Sequence, residues 1–297
     1  MTCPDGARGA HNPGVLVSIG DLVEDVVVWS APSARYATDN PAVIHRRRGG
    51  SAANVAAFAS ALVPTRFIGC VGTDLVADVL TAELAGHGVD VRVQRRGRTG
   101  TVVVLVDGNG ERTMYPDRGA AAELADVPAG WLDGASVLHV PSYCFAAEPA
   151  AACVLRLIRQ ASQAGIPLSL DASSTGMIAQ YGLDRYLSLV DAIRPAVLFA
   201  NADEARLLDV TRPRFAKIMI VVKDGARSTT LFAPGPRGEN RAGQTVPVPP
   251  APAPRDTTGA GDAFAAGFLA ARMRGATPVE AAMAGHALAR SMLFSPG

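Results

Sequence analysis

Two hydrophobic periods alternate along this chain. Short apolar runs at residues 15–19, 67–71, 137–140, 168–170, 197–199 and 218–222 read as buried strands. Between and after them lie longer segments of small and apolar residues at 51–62, 75–86, 150–164, 183–193, 202–208, 260–273 and 278–293, which read as helices. Strand–helix alternation of this kind predicts an α/β fold with a parallel central sheet covered by helices on both faces. The pattern changes in two stretches, around 21–48 and 91–116, where strand-like runs at 26–29, 43–46, 91–93, 101–106 and 112–115 occur without helices. These two pieces predict one small β-sheet projecting from the body as a lid over a cleft. Asp107-Gly108-Asn109-Gly110 is a hairpin signal within it. Residues 229–232 and 244–248 read as an antiparallel pair closing the main sheet. Residues 1–14 read as a flexible tail without an apolar signal core, and 15–297 as the folded domain.

Composition narrows the chemistry. The 297 residues carry a net charge of +1, which gives no general electrostatic case for nucleic acid or anionic lipid. No apolar run approaches membrane-spanning length. Lysine occurs only at Lys217 and Lys223, so there is no Gly-Lys-Ser/Thr phosphate loop. Cys3, Cys70, Cys144 and Cys153 form no CxxC pair, and the histidines show no HExxH spacing. Zinc sites and a disulfide framework are therefore not expected, and a cytoplasmic protein is.

The segment Asp256-Thr257-Thr258-Gly259-Ala260-Gly261-Asp262 follows a proline-rich connection and opens an apolar helix. Unpaired amides and the helix dipole make such a turn an anion cradle. Asp262 beside the cradle can take a proton from a hydroxyl as it attacks a phosphoryl group. Alone, Gly-Ala-Gly-Asp also fits the plain N-terminus of a core helix. Gly49-Gly50-Ser51-Ala52-Ala53-Asn54 is a second glycine turn before a helix, and Asn54 offers a donor and an acceptor to a polyhydroxyl ligand. Gly20 to Asp25 place carboxylates beyond a strand end, where open α/β sheets bind ligands. Asn201-Ala202-Asp203-Glu204 also follows a strand, and Glu204 could hold the waters of a Mg²⁺ ion.

Together with Phe67 to Asp74, and in this order, these motifs resemble the ribokinase-like, or PfkB-type, carbohydrate kinases over nearly the whole chain. The resemblance implies a doubly wound, mostly parallel central sheet with helices on both faces and a small β-sheet lid, and ATP-dependent phosphorylation of a hydroxymethyl group. It makes Asp262 the catalytic base and the Gly259, Ala260 and Gly261 amides the anion hole. Asp25, Gly49, Gly50 and Asn54 would bind the sugar, with Arg118 among the further side chains at the acceptor. Asn201 and Glu204 would serve the phosphates and Mg²⁺, Lys223 and Gly225 the nucleotide, and His286 the adenine region. Asp256 falls where some members hold a carboxylate near a potassium ion. Ser51, where members often carry lysine, and Ser142 and Ser228, each in place of a frequent glycine, depart from the pattern. Asp171-Ala172-Ser173 lacks the Asn and Arg seen there in several relatives. The expected activity is that of a sugar kinase, the alternatives being a nucleoside kinase and a sugar sensor without turnover. The exposed face of a lid sheet also needs cover, which predicts a homodimer joined through the lid.

Overall fold

The computed structural model describes residues 14–30, 35–107, 112–235, 242–252 and 256–294. A nine-stranded sheet forms the body. Its strands are β1 (Val15–Ile19), β4 (Thr65–Val71), β5 (Asp90–Arg95), β8 (Ala135–Pro141), β9 (Leu168–Asp171), β10 (Val197–Asn201), β11 (Met219–Lys223), β12 (Ser228–Phe232) and β13 (Gln244–Pro247), and their order across the sheet is β13-β12-β11-β10-β9-β8-β1-β4-β5. All neighbours are parallel except β11–β12 and β12–β13, the expected closing pair.

The central parallel strands are mostly apolar because both faces are covered, with Ser18, His139 and Ser169 as buried polar exceptions. Val17, Ile19, Leu198, Ala200 and Ile220 pack toward α3 (Ala150–Gln163), α4 (Thr175–Tyr181) and α5 (Leu183–Ile193). Their neighbours Leu16, Phe199 and Val221 face the opposite way, onto α1 (Ser51–Ser60), α7 (Ala260–Met273) and α8 (Pro278–Phe294). Phe199 meets Phe268 edge to face at 5.3 Å and Phe264 at 6.3 Å, fixing α7 on the sheet. Helix α2 (Leu75–Gly86), capped by Asp74, packs at the β4–β5 edge, and α6 (Ala202–Leu208) follows β10 directly.

The lid is a separate four-stranded sheet of β2 (Val23–Ser30), β3 (Ala42–Gly49), β6 (Thr99–Val106) and β7 (Arg112–Gly119), in the order β3-β2-β6-β7. Three details differ from the sequence reading. Residues 91–93, assigned there to the lid, belong to β5 at the edge of the main sheet, paired in parallel with β4. A short β run carries no mark of its partner, and here the pairing is set by α2, which returns the chain alongside β4. Helix α4 was not anticipated; Ser174 caps it by accepting from the Gly176 and Met177 amides. Strand β7 continues to Gly119, which brings Arg118 into the lid. The turn at 108–111 and the tail at 1–13 lie outside the described residues, although the register closes on the turn at Val106↔Arg112.

Candidate active site

The candidate chemistry collects where the parallel strands end. Asp21 lies beyond β1, Tyr143 beyond β8, Asp171 ends β9, Asn201 ends β10 and Lys223 ends β11. They line one cavity of about 1890 Å³ between body and lid. That exceeds the roughly 300–1,000 Å³ usual for a single ligand and leaves room for two substrates.

Asp262 sits in the first turn of α7 on the cavity wall. Ser51 Oγ donates to its Oδ1 at 2.7 Å, and Asn54 Nδ2 donates to its Oδ2 at 2.9 Å. Burial pushes the Asp262 carboxyl up to about 6, although these two hydrogen bonds work against it. A base in this range is ionised at neutral pH yet still proton-seeking.

Gly259 caps α7 with φ +83°, a conformation that favours glycine. The Ala260 amide, expected in the anion hole, donates to the Thr257 carbonyl at 3.1 Å, so it closes the turn and is already engaged. Thr257, Thr258, Ala260, Gly261 and Asp262 lie on the cavity wall. Gly259 stands behind them, turned toward Phe58 and Asn54. Gly259 therefore sets the path of the turn and does not line the cavity. A Cβ on Gly261 would lie 3.3 Å from Lys223 Nζ, so the glycine admits the ammonium group to the helix N-terminus.

Lys223 Nζ also donates to Asp171 Oδ2 at 2.8 Å. Burial alone would lower the lysine, but the carboxylates of Asp171, Glu204 and Asp262 outweigh it and hold Lys223 charged. Asp171 was not among the site residues expected from sequence; its place at the end of a central parallel strand was the available signal. Ser142 fixes it, donating from Oγ to the Asp171 carbonyl at 2.7 Å. A glycine at 142 could not make this bond.

Asn201 and Glu204 form a reciprocal capping box at α6. Asn201 N and Nδ2 donate to Glu204 Oε2 and Oε1 at 2.8 and 2.7 Å. Burial, with Asp171 nearby, pushes Glu204 up to about 7. A cation close by would keep it ionised. Among the described residues no cluster of three or more His, Cys, Asp or Glu could hold a metal ion. The donor set therefore fits a hydrated Mg²⁺ brought in with nucleotide phosphates better than a resident ion.

On the acceptor side, burial pushes Asp25 up to about 6, against the opposing charges of Arg47 and Arg48. Gly49 is absent from the cavity wall. A Cβ there would lie 2.0 Å from Asp25 Oδ1, so Gly49 makes room for the carboxylate and does not line the site itself. Gly50, at φ +98°, lies on the wall beside Ser51 and Asn54. Asn54, expected to bind sugar, is engaged at both ends, because its Oδ1 accepts from Arg48 Nη1 at 2.6 Å while its amide holds Asp262. It positions the Asp262 carboxylate. Arg118 is on the wall but paired with Asp21 through two bonds of 2.9 and 2.6 Å.

On the nucleotide side, Gly225 turns the chain at φ +56° between β11 and β12. His286 is buried beside Phe264, with Nε2 2.8 Å from Thr229 Oγ1, and burial lowers its pKa. The proline-rich 248–252 forms part of this wall, tied by Arg290 to the Pro250 carbonyl at 2.8 Å. Asp256 does not fit a bare potassium ion. Arg47 Nη1 and Arg112 Nη2 reach its two oxygens at 3.0 and 2.6 Å.

The family described as "pfkB family carbohydrate kinase" matches residues 16–297. A fructokinase from Klebsiella pneumoniae is 32% identical over 241 residues, covering 75% of this chain and 76% of that protein. An adenosine kinase from Schizosaccharomyces pombe is 28% identical over 288 residues, covering 84% and 80%. Among solved structures, Anopheles gambiae adenosine kinase superposes with a TM-score of 0.80 at 22% identity, covering 97% of each chain. No described helix is long and apolar enough to cross a membrane.

Proposed function

Since the chain belongs to the pfkB family of carbohydrate kinases, we propose that it transfers the γ-phosphoryl group of ATP to a hydroxymethyl group of a neutral sugar, with Asp262 as general base. The observation that carries this is the Asp262 carboxylate, pushed up to about 6 by burial and held by Ser51 and Asn54 at an α-helix N-terminus that Lys223 Nζ approaches from β11. The acceptor hydroxyl gives its proton to Asp262 as its oxygen attacks phosphorus. The Gly261 amide and Lys223 meet the negative charge gathering on the transferred group. Asn201 and Glu204 would face a Mg²⁺ ion through its waters; that ion supplies charge neutralisation on the phosphate oxygens. Asp25 accepts hydrogen bonds from hydroxyl groups of the acceptor.

Neutrality of the acceptor follows from pairing. The charge of Arg118 is balanced by Asp21, although its Nη1 is unpartnered, and that of Arg48 by Glu83. Among the described residues, the acceptor end thus offers no uncompensated cation for a sugar phosphate or sugar acid. A nucleoside acceptor is the second reading, favoured by the apolar wall of Val23, Val102, Met114 and Pro116, which could cover a base. ADP release measured over a panel of sugars, sugar phosphates and nucleosides tests both readings. Strict preference for a phosphorylated sugar would overturn neutrality, and binding without ADP release would leave a sensor.

Assembly belongs to the same proposal. Ile44, Leu105 and Tyr115 are 58%, 39% and 58% exposed on the lid face turned away from the cleft. A second copy of this face would cover them, giving a lid-mediated homodimer. Light scattering at micromolar concentration should report twice the chain mass.

A further inference from the structure

Asp256 stands six residues before the base and is tied to the cradle. Its Oδ1 accepts from the Thr258 amide at 2.7 Å, and the Thr257 carbonyl next to it accepts from Ala260. Whatever holds Asp256 therefore holds the turn that presents the anion hole. Two guanidinium groups do so. Arg112 Nη2 donates to Oδ1 at 2.6 Å and Arg47 Nη1 donates to Oδ2 at 3.0 Å. Arg47 lies on β3 and Arg112 on β7, the opposite edges of the four-stranded lid. The carboxylate is thus gripped across the whole width of the lid. Charge is balanced locally, since Arg47 Nε also lies 4.0 Å from Asp25, giving two cations and two carboxylates. A further metal cation would enter against both guanidinium groups and find both Asp256 oxygens engaged.

We propose that Arg47 and Arg112 are positioning residues that take the place of a monovalent cation at Asp256, so that the anion hole is set by the seated lid and not by potassium. A potassium site answers to salt in the medium. An arginine pair carried on the lid answers to whether the lid is down, which couples acceptor binding to assembly of the phosphoryl cradle. The transfer step itself rests on the function proposed above, but the grip does not.

Two measurements separate the grip from the function. The first is the rate of ADP formation in potassium, sodium and tetramethylammonium chlorides at equal ionic strength. Rates within about twofold are expected, and a tenfold fall on removing potassium would overturn the proposal. The second needs no turnover. Hydrogen exchange of the amides at 257–262 is followed in the wild type and in the Arg47→Ala/Arg112→Ala double variant. The expected result is faster exchange there, with the α5 and β10 amides unchanged, and unchanged exchange at 257–262 would contradict the grip. In that variant turnover should fall by about 10²-fold through misplacement of the cradle, and added guanidinium or potassium should restore part of it. Arg47→Lys/Arg112→Lys, which keeps the charge, should exchange closer to wild type. If no acceptor is turned over at all, the function fails while the exchange result still decides the grip.

Discussion

The body and the lid are held by different physics. In the body, strand residues of both parities are buried, and Leu16, Val17, Phe199, Ile220 and Val221 are all 0% exposed. Among the described lid residues, Val27, Val104 and Val106 form the buried apolar cluster, with Trp29 and Val102 beside it. Much of what ties the lid to the body is charged, through Arg118–Asp21, Arg48–Glu83, and Arg47 and Arg112 on Asp256. A packed core resists small displacements, whereas ion pairs that are partly wet exchange readily with water. Asp262 and helix α7 are thus mounted on the rigid part, and the sheet proposed to cover the acceptor on the part held by exchangeable contacts.

The sharpest way to break this division is to disturb the body's charge centre. Lys223→Met should lower kcat by about 10²–10³-fold, as loss of one preorganised donor does, with little change in acceptor affinity. A variant of normal kcat would remove Lys223 from the transfer step. At the lid, Arg118→Leu leaves Asp21 half-buried without its partner and should cost about 2–3 kcal/mol. The loss should be read mainly as faster hydrogen exchange in β2 and β7, and the Asp21→Leu/Arg118→Leu double variant should recover most of it. Equal loosening of α7 would mean that lid and body are one cooperative unit.

A smaller effect has the opposite sign. Asp262 titrates near 6 when folded against an ordinary value of 3.8. Between these values the folded chain binds the extra proton, so the stability tied to this group is present at low pH and is lost as pH rises through about 6. Asp262→Asn should therefore raise the melting temperature at pH 8 by about 2–4 °C, corresponding to roughly 1 kcal/mol. The gain should vanish near pH 4. A variant less stable than wild type at pH 8 would mean that the two hydrogen bonds to Asp262 outweigh the cost of burying its charge.

Much of the architecture could be read from sequence because parallel strands buried on both faces leave unbroken apolar runs, and α7 announces itself by the glycine turn before it. Pairings between distant segments could not. Nothing local marks Lys223 as the partner of Asp171, or Arg47 and Arg112 as partners of Asp256, since each pair joins segments that only the folded sheet brings together. The same holds for residues 91–93, whose neighbour in the sheet was invisible. Asn54 was recognised as a polar group at a helix start, but whether it faced a sugar or the base depended on where α7 docks. The serine at 142 looked like a lost glycine, and its hydroxyl in fact supports Asp171.

The central claim is that Asp262 takes the acceptor's proton. It is tested most directly by comparing Asp262→Asn with wild type, measuring turnover together with calorimetric affinity for the acceptor identified in the panel. The account predicts turnover lower by about 10²–10⁴-fold with affinity nearly unchanged, and a wild-type kcat/KM that falls as pH drops through about 6, the value at which Asp262 takes up its proton. Near-normal turnover in the variant would contradict it.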